Sequence, residues 1–449
     1  MGREIETLAR FVATLQWRDV PAPVRAHAKL VLLDTLGVIL AGSARPELQG
    51  LRARLGGGDG ATVYARGFPR HDPRHAALLN GIAGRAIELC EGLRLVSGQA
   101  ALQVLPGVLA GAEVSGCGGP DLLAAFVAGY DVAARLAGGF TPRPLAHQNG
   151  QVALLAAAAA GARVRGLAAD GVSRAMRIAA TLLLTPSYTN AVAGATALNV
   201  AGGMSGFAGA LAPDLALAGF TAQDDAVEEA LGQLVGAGFS AAAALDALGE
   251  RWEITRNYFR LYACCNPIHP ALDCLAACLA DLHPRPDEIA AIEVATYRFA
   301  SVMRNPDPPN YFASKYSLPH AAATMAVRGG AGFAELDDTA LADPVIAALR
   351  HRVHIAEDPE MSAKAPVLRP ARVTVRLADG RCASHARDSH RGDFNEPFAE
   401  SEIRGKFREL AGTVLTAEGV VAAERAVDAA EEWADIRAFA DLLRRHTRP

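Results

Sequence analysis

From Ala28 to Val38 the chain reads Ala28-Lys29-Leu30-Val31-Leu32-Leu33-Asp34-Thr35-Leu36-Gly37-Val38, apolar on nearly every face that a helix can present. Such a helix belongs deep in a core, so the rest of the chain must wrap around it. The pattern recurs at 100–114, at 120–138 and in the alanine-rich run after Gly150, while 3–16 carries the stripe Ile5, Leu8, Ala9, Val12 and Leu15. Hydrophobic residues make up 51% of the sequence but aromatics only 6%. Small side chains that let helices approach closely must therefore fill the core, and the fold class is mainly α.

The pattern changes after residue 265. Residues 289–297 and 372–377 alternate as strands, Asp379-Gly380 predicts a hairpin turn into 381–387, and the chain from Ser401 onward is helical. At 449 residues two or three domains are expected. We read a large all-helical domain, 1–265 with 396–449, and a smaller α+β domain, 266–395. Within the first, Thr62–Ala65 predicts a short strand or loop at the surface. Residues 74–91 predict a helix carrying Glu88 and Glu91 on one face, and 207–250 predicts further helix.

Several function classes are disfavoured. A net charge of −4 gives no basic footprint for nucleic acid. Apolar stretches such as 152–161 read as too short and alanine-rich for a membrane span. No G-x-G-x-x-G after a strand and no P-loop occurs, and no histidine or cysteine spacing suggests zinc. Seven cysteines without a disulfide framework and a charged opening without an apolar leader make a reducing cytoplasm the expected setting.

The most chemically loaded segment is 256–273, with Arg256, Arg260, Tyr262, Cys264-Cys265 and His269, broken by Pro267 and Pro270. Pro270 opens an apolar helical run, which puts His269 at a helix N-terminus, where the dipole favours the neutral, proton-accepting imidazole. Arg260 either grips a carboxylate with both arms of its planar fork or bridges the domains. Tyr262 is either an oxyanion donor or core, and the paired cysteines read first as small buried hydrophobes. The loop Pro142–Gly150, with His147 and Asn149, precedes a buried helix and suits anion recognition, unless His147 simply caps that helix. Glu88 and Glu91 are either an acid/base pair or a solvated helix end. The uncharged run 185–206, with Tyr188 and Asn199, either lines a pocket or packs helices closely.

Several of these residues fall in runs that, in order and spacing, resemble the MmgE/PrpD superfamily of 2-methylcitrate dehydratases, cis-aconitate decarboxylases and iminodisuccinate epimerases. The runs are Leu8–Val12, Val31–Val38, Leu79-Asn80-Gly81, Gly129–Leu136, His147 with Gly150, Tyr262–Cys265 through His269–Asp273, Lys315–His320 and Asp379-Gly380. The resemblance implies a helical domain with an α+β domain inserted before the C-terminal helices, and a homodimer. It also implies catalysis at the interdomain cleft without metal or organic cofactor. The family's shared chemistry is proton movement beside a carboxylate. His147, His269, His320 and Tyr262 are then the expected catalytic residues, and Arg260, Lys315, Gln99, Glu88, Glu91 and Asn149 the expected substrate-binding ones, with Arg143 a second choice.

The chain also departs from the family pattern. Glu88-Leu89-Cys90-Glu91 and Gln99-Ala100 stand where an Asp-Phe-Asp-Asp run and His-Pro are usual. Leu198 and Ala201 replace a lysine and a histidine, Arg260 replaces a lysine, and His320 replaces a tyrosine. The expected function is a cofactor-independent lyase, a dehydratase or decarboxylase of a small carboxylic acid. His147 and His269 would exchange the proton while Arg260 holds the acid. An isomerase, epimerase or cyclase with the same apparatus, and a non-catalytic relative, are the alternatives.

Overall fold

The apolar run becomes the middle of the Ala22–Gly42 helix, which is buried without a break from Val31 to Gly42 in the computed structural model. The structure describes residues 3–94 and 98–448; residues 95–97 and the outermost terminal residues lie outside the described residues. Around this helix stand Pro73–Ala86, Ala100–Ser115, Gly119–Gly139, Val152–Val164 and Ala197–Leu217. The small side chains permit what the composition demands. A Cβ on Gly161 would lie 1.9 Å from the Gly209 carbonyl oxygen, so two of these helices meet backbone to backbone. Gly119–Gly139 and Ala197–Leu217 are long and apolar enough to cross a membrane by length and composition. Inside the protein, however, 89% and 61% of their apolar windows are buried.

The C-terminal helices Glu400–Ala411, Ala417–Asp428 and Ile436–Arg445 fold back onto the bundle. Phe407 packs against Gly37, a burial that contributes about 1.5–3 kcal/mol. Lys406 forms a buried ion pair with Asp34 at 2.6 Å and donates to the Leu89 carbonyl.

The smaller unit is built on one four-stranded sheet, ordered Cys382–Arg387, Ala371–Leu377, Ile289–Thr296, Val353–Glu357. The first two pairings are antiparallel and the last is parallel. The predicted hairpin turn is present, with Gly380 at φ 90°. Val353–Glu357 had no reading in the sequence because it is short and pairs in parallel. His269–Leu282 lies on the sheet, its Cys278 thiol reaching the Val373 carbonyl.

Three local expectations are overturned. Thr62–Ala65 is buried, because Glu113 accepts from the Thr62 amide and hydroxyl while Asn80 accepts from the Tyr64 amide. The helix before Glu88 stops at Ala86, and Glu88 itself sits at φ 52°, so it does not share a helix face with Glu91. Neither carboxylate is solvated. Beyond Leu217 the chain leaves helix at Gly219, φ 93°, and runs through short turns and a Gly236–Phe239 strand paired with Phe140–Pro142.

Candidate active site

A cavity of about 570 Å³ is walled by residues of the bundle, of the 256–273 segment and of the smaller unit. Arginines dominate its charged lining. Arg85, Arg143, Arg260, Arg298 and Arg369 face it, against the single carboxylate of Glu88.

The chain's turn at Glu88 explains the centre of this wall. Arg85, in the last turn of Pro73–Ala86, and Glu88 are both 1% exposed and in direct contact. Arg260 reaches the same carboxylate from the other side, its Nη1 donating to Oε1 at 2.5 Å and to the Glu88 carbonyl at 3.1 Å. The Tyr316 hydroxyl donates to Glu88 Oε2 at 2.9 Å and accepts from Arg85 Nη2 at 2.5 Å, and the Tyr258 hydroxyl accepts from Arg260 Nη2. Two guanidiniums thus share one carboxylate in a site closed to bulk water. The Nε atoms of both arginines have no partner among the described residues. A surplus buried cation costs several kcal/mol unless an anion joins it. Burial pushes the Tyr316 hydroxyl up to about 12, so it keeps its proton.

His147 enters from the polar loop. Gly150, at φ 83°, turns the chain into the Val152–Val164 helix, and Gln103 Oε1 accepts from the Gly150 amide at 2.9 Å and fixes that turn. The Asn149 amide donates to His147 Nδ1 at 3.1 Å. An amide can only donate, so the hydrogen of the neutral ring sits on Nε2, which no described residue binds. Burial, with the charge of Arg85 adding to it, lowers His147 to about 3. The ring stacks on Tyr188 at 5.7 Å. At neutral pH the cavity thus receives an uncharged N–H donor where the sequence suggested a base. The Gln99 Oε1, buried and unpartnered, lies on the same wall.

Residues 6–242 match the MmgE/PrpD N-terminal domain and residues 262–432 the MmgE/PrpD C-terminal domain. The chain belongs to the MmgE/PrpD family. Among its relatives, a cis-aconitate decarboxylase-like protein of Aspergillus oryzae is 25% identical, the match covering 98% of this chain and 97% of the relative. A cis-aconitate decarboxylase of Aspergillus terreus is 23% identical, covering 97% and 95%.

In this MmgE/PrpD protein, then, His147, Arg260, Glu88, Gln99 and Arg143 line the cavity, whereas His269, His320, Tyr262, Lys315, Glu91 and Asn149 do not. His269 does open its helix, but Nε2 is turned to the Cys264 carbonyl at 3.0 Å and the ring lies edge to face against Tyr262 and His390. Tyr262 donates to Asp273 at 2.9 Å. Lys315 donates to the Leu336 carbonyl with its ammonium 4.0 Å from the Tyr311 ring, and burial lowers it to about 7. His320 is wholly buried with both ring nitrogens unpartnered, and burial lowers it to about 3. Glu91 accepts from the Tyr130 hydroxyl at 2.6 Å and the Ala101 amide at 3.0 Å, capping the Ala100–Ser115 helix; burial raises it to about 7. Asn149 gives its side-chain oxygen to Gln103.

Arg260 meets neither sequence reading fully. It lines the cavity, but Glu88 and Tyr258 already occupy its fork, so its two arms are not free to clasp one carboxylate. Among the lining residues without a sequence assignment are Arg85, Tyr258, Asn266, Tyr297, Tyr316 and Arg369. Arg85 had a usable signal, a charge among the small and apolar residues of 81–86. Tyr316 stood inside a family run. Arg369 had none; it is held by Asn266 Oδ1 and the Arg94 carbonyl. Among the described residues no three His, Cys, Asp or Glu side chains gather as a metal site.

Proposed function

We propose that the protein is a lyase that removes carbon dioxide, or in a second form water, from a small carboxylic acid through a carbanion stabilised by a neighbouring carboxylate. The observation that carries this reading is the Arg85–Glu88–Arg260 cluster, a buried positive surplus beside the neutral His147 donor. An anionic substrate in the cavity would neutralise that surplus. When the carbon–carboxylate bond breaks, its electron pair stays on carbon and spreads onto the adjacent π system while carbon dioxide departs. The His147 Nε2–H is a neutral donor placed to hydrogen-bond that developing charge, and a proton from solvent then closes the carbon.

A site that presents donors favours decarboxylation over dehydration or epimerisation, which both begin by abstracting a proton. The names of the fungal relatives point the same way. The homodimer and the absence of any cofactor belong to the same proposal. The test is to incubate the protein with cis-aconitate and related unsaturated acids in deuterium oxide. Release of carbon dioxide with one deuterium retained in the product is expected. Deuterium exchange without loss of carbon dioxide or water would point to an isomerase, and no reaction with any acid would count against catalysis.

A further inference from the structure

The cavity's polarity runs opposite to the usual arrangement. Its deep wall holds the charged and polar groups Arg85, Glu88, Arg260 and Asn266, all nearly inaccessible, among the rings of Tyr258, Tyr297 and Tyr316. Its lip is apolar: Phe299 is 44% and Val302 46% exposed, both lining the cavity, while Leu145 (68%) and Val367 (71%) adjoin the lining residues Pro144 and Pro366. Large apolar side chains ordinarily go inside and charges stay at the rim. Leu145 and Phe299 are joined through Tyr188, whose amide donates to the Leu145 carbonyl at 2.8 Å and whose ring packs on Phe299 at 5.3 Å. The exposed rim cations are engaged elsewhere, Arg298 with Glu357 at 3.6 Å and Arg143 with the Gln233 carbonyl at 2.8 Å. Isolated exposed apolar residues need no explanation, whereas a joined group at the mouth of a cavity marks a binding surface.

We propose that the site takes an amphiphilic acid, a carboxylate head carrying an alkyl or aryl arm, with the head at the buried arginines and the arm along Tyr188, Phe299 and Val302. This rests on the lyase reading and names its substrate class. The cavity's size agrees. Its volume of about 570 Å³ falls among sites of roughly 300–1,000 Å³ that enclose drug-sized ligands. A bare short-chain acid would leave much of that room to water.

The test is a homologous series of unsaturated dicarboxylic acids with no arm or with propyl, pentyl or heptyl arms at one carbon. Each acid is measured by kcat/KM and, independently of turnover, by calorimetric Kd. Affinity is expected to rise about fourfold per methylene over the first few. The double variant Phe299→Ser/Val302→Ser, at half-exposed positions that leave the core intact, should flatten that slope to under about twofold. A flat wild-type series with the armless acid still bound would overturn the apolar arm and leave the lyase reading standing. If no acid of either kind binds, both fall. If the double variant instead splits a dimer in sedimentation velocity with the slope intact, the lip is an interface between copies and the proposal is overturned.

Discussion

The loops at 142–150 and 262–270 each bury a histidine, and burial keeps each ring neutral, yet the two rings use their hydrogen differently. In the first loop the Asn149 amide occupies Nδ1 and leaves the Nε2–H of His147 to the cavity. In the second, the Nε2–H of His269 is taken by the Cys264 carbonyl, behind the wall. Burial and a depressed proton affinity are common to both, so neither identifies a reacting group. What separates them is which nitrogen the backbone has already claimed.

That contrast can be broken most directly by removing the cavity-facing ring. His147→Ala should lower kcat by about 10²–10⁴-fold in a variant that remains folded; a loss smaller than tenfold would remove His147 from the chemistry. The counterpart, His269→Ala, should show the reverse split. Loss of packing and an orphaned Cys264 carbonyl should cost about 2–4 kcal/mol of unfolding free energy, with kcat reduced less than about tenfold. An equal collapse of kcat in a variant that remains folded would put His269 back in the reaction.

The smallest expected effect is common to both loops and sharpens the point that they share an environment. His147 and His320 are lowered to about 3, His390 to about 4, and His269 well below its ordinary value, each chiefly by burial. These rings protonate in the unfolded chain below about pH 6.5 but stay neutral in the folded one. The unfolded state then binds more protons, so stability is complete above pH 6.5 and falls as pH drops toward 4. Each ring accounts for up to about 1.4 kcal/mol per pH unit. Glu91, raised to about 7, and Asp131, raised to about 6, oppose them as pH falls toward the ordinary carboxylate range, because there the folded state holds the extra proton. The net slope of the urea midpoint from pH 7 to 5 is therefore smaller than the rings alone would give, and His269→Phe should lower it by about one proton. An unchanged slope in that variant would mean that the His269 ring is not buried neutral.

Helix and strand were legible wherever one pattern ran long enough, as in Ala22–Gly42, His269–Leu282 and the 371–387 hairpin. Reading failed where a single residue's backbone decided the outcome. At Glu88 and Gly219 a left-handed φ ended a helix that the side-chain pattern would have continued. The site was half legible for a related reason. Sequence marks which residues carry chemistry, and the 256–273 segment does supply Tyr258, Arg260, Cys265 and Asn266 to the cavity. It does not mark which way a ring turns once Pro267 and Pro270 have bent the chain. Arg85 and Tyr316 were passed over because they stand 231 residues apart in the sequence, and only folding brings both onto Glu88.

Lys406 has a bearing on how the molecule is made. Every cavity-lining residue precedes position 370, so a chain emerging from the ribosome has the whole wall in hand while Glu400–Ala411 is still unsynthesised. Until that helix arrives, Asp34 lacks the Lys406 counter-ion and the Leu89 carbonyl, next to Glu88, has no ammonium to hold it. Competence would therefore wait for a helix made after the whole wall, and removing Glu400–Ala411 should silence a site whose lining it does not supply.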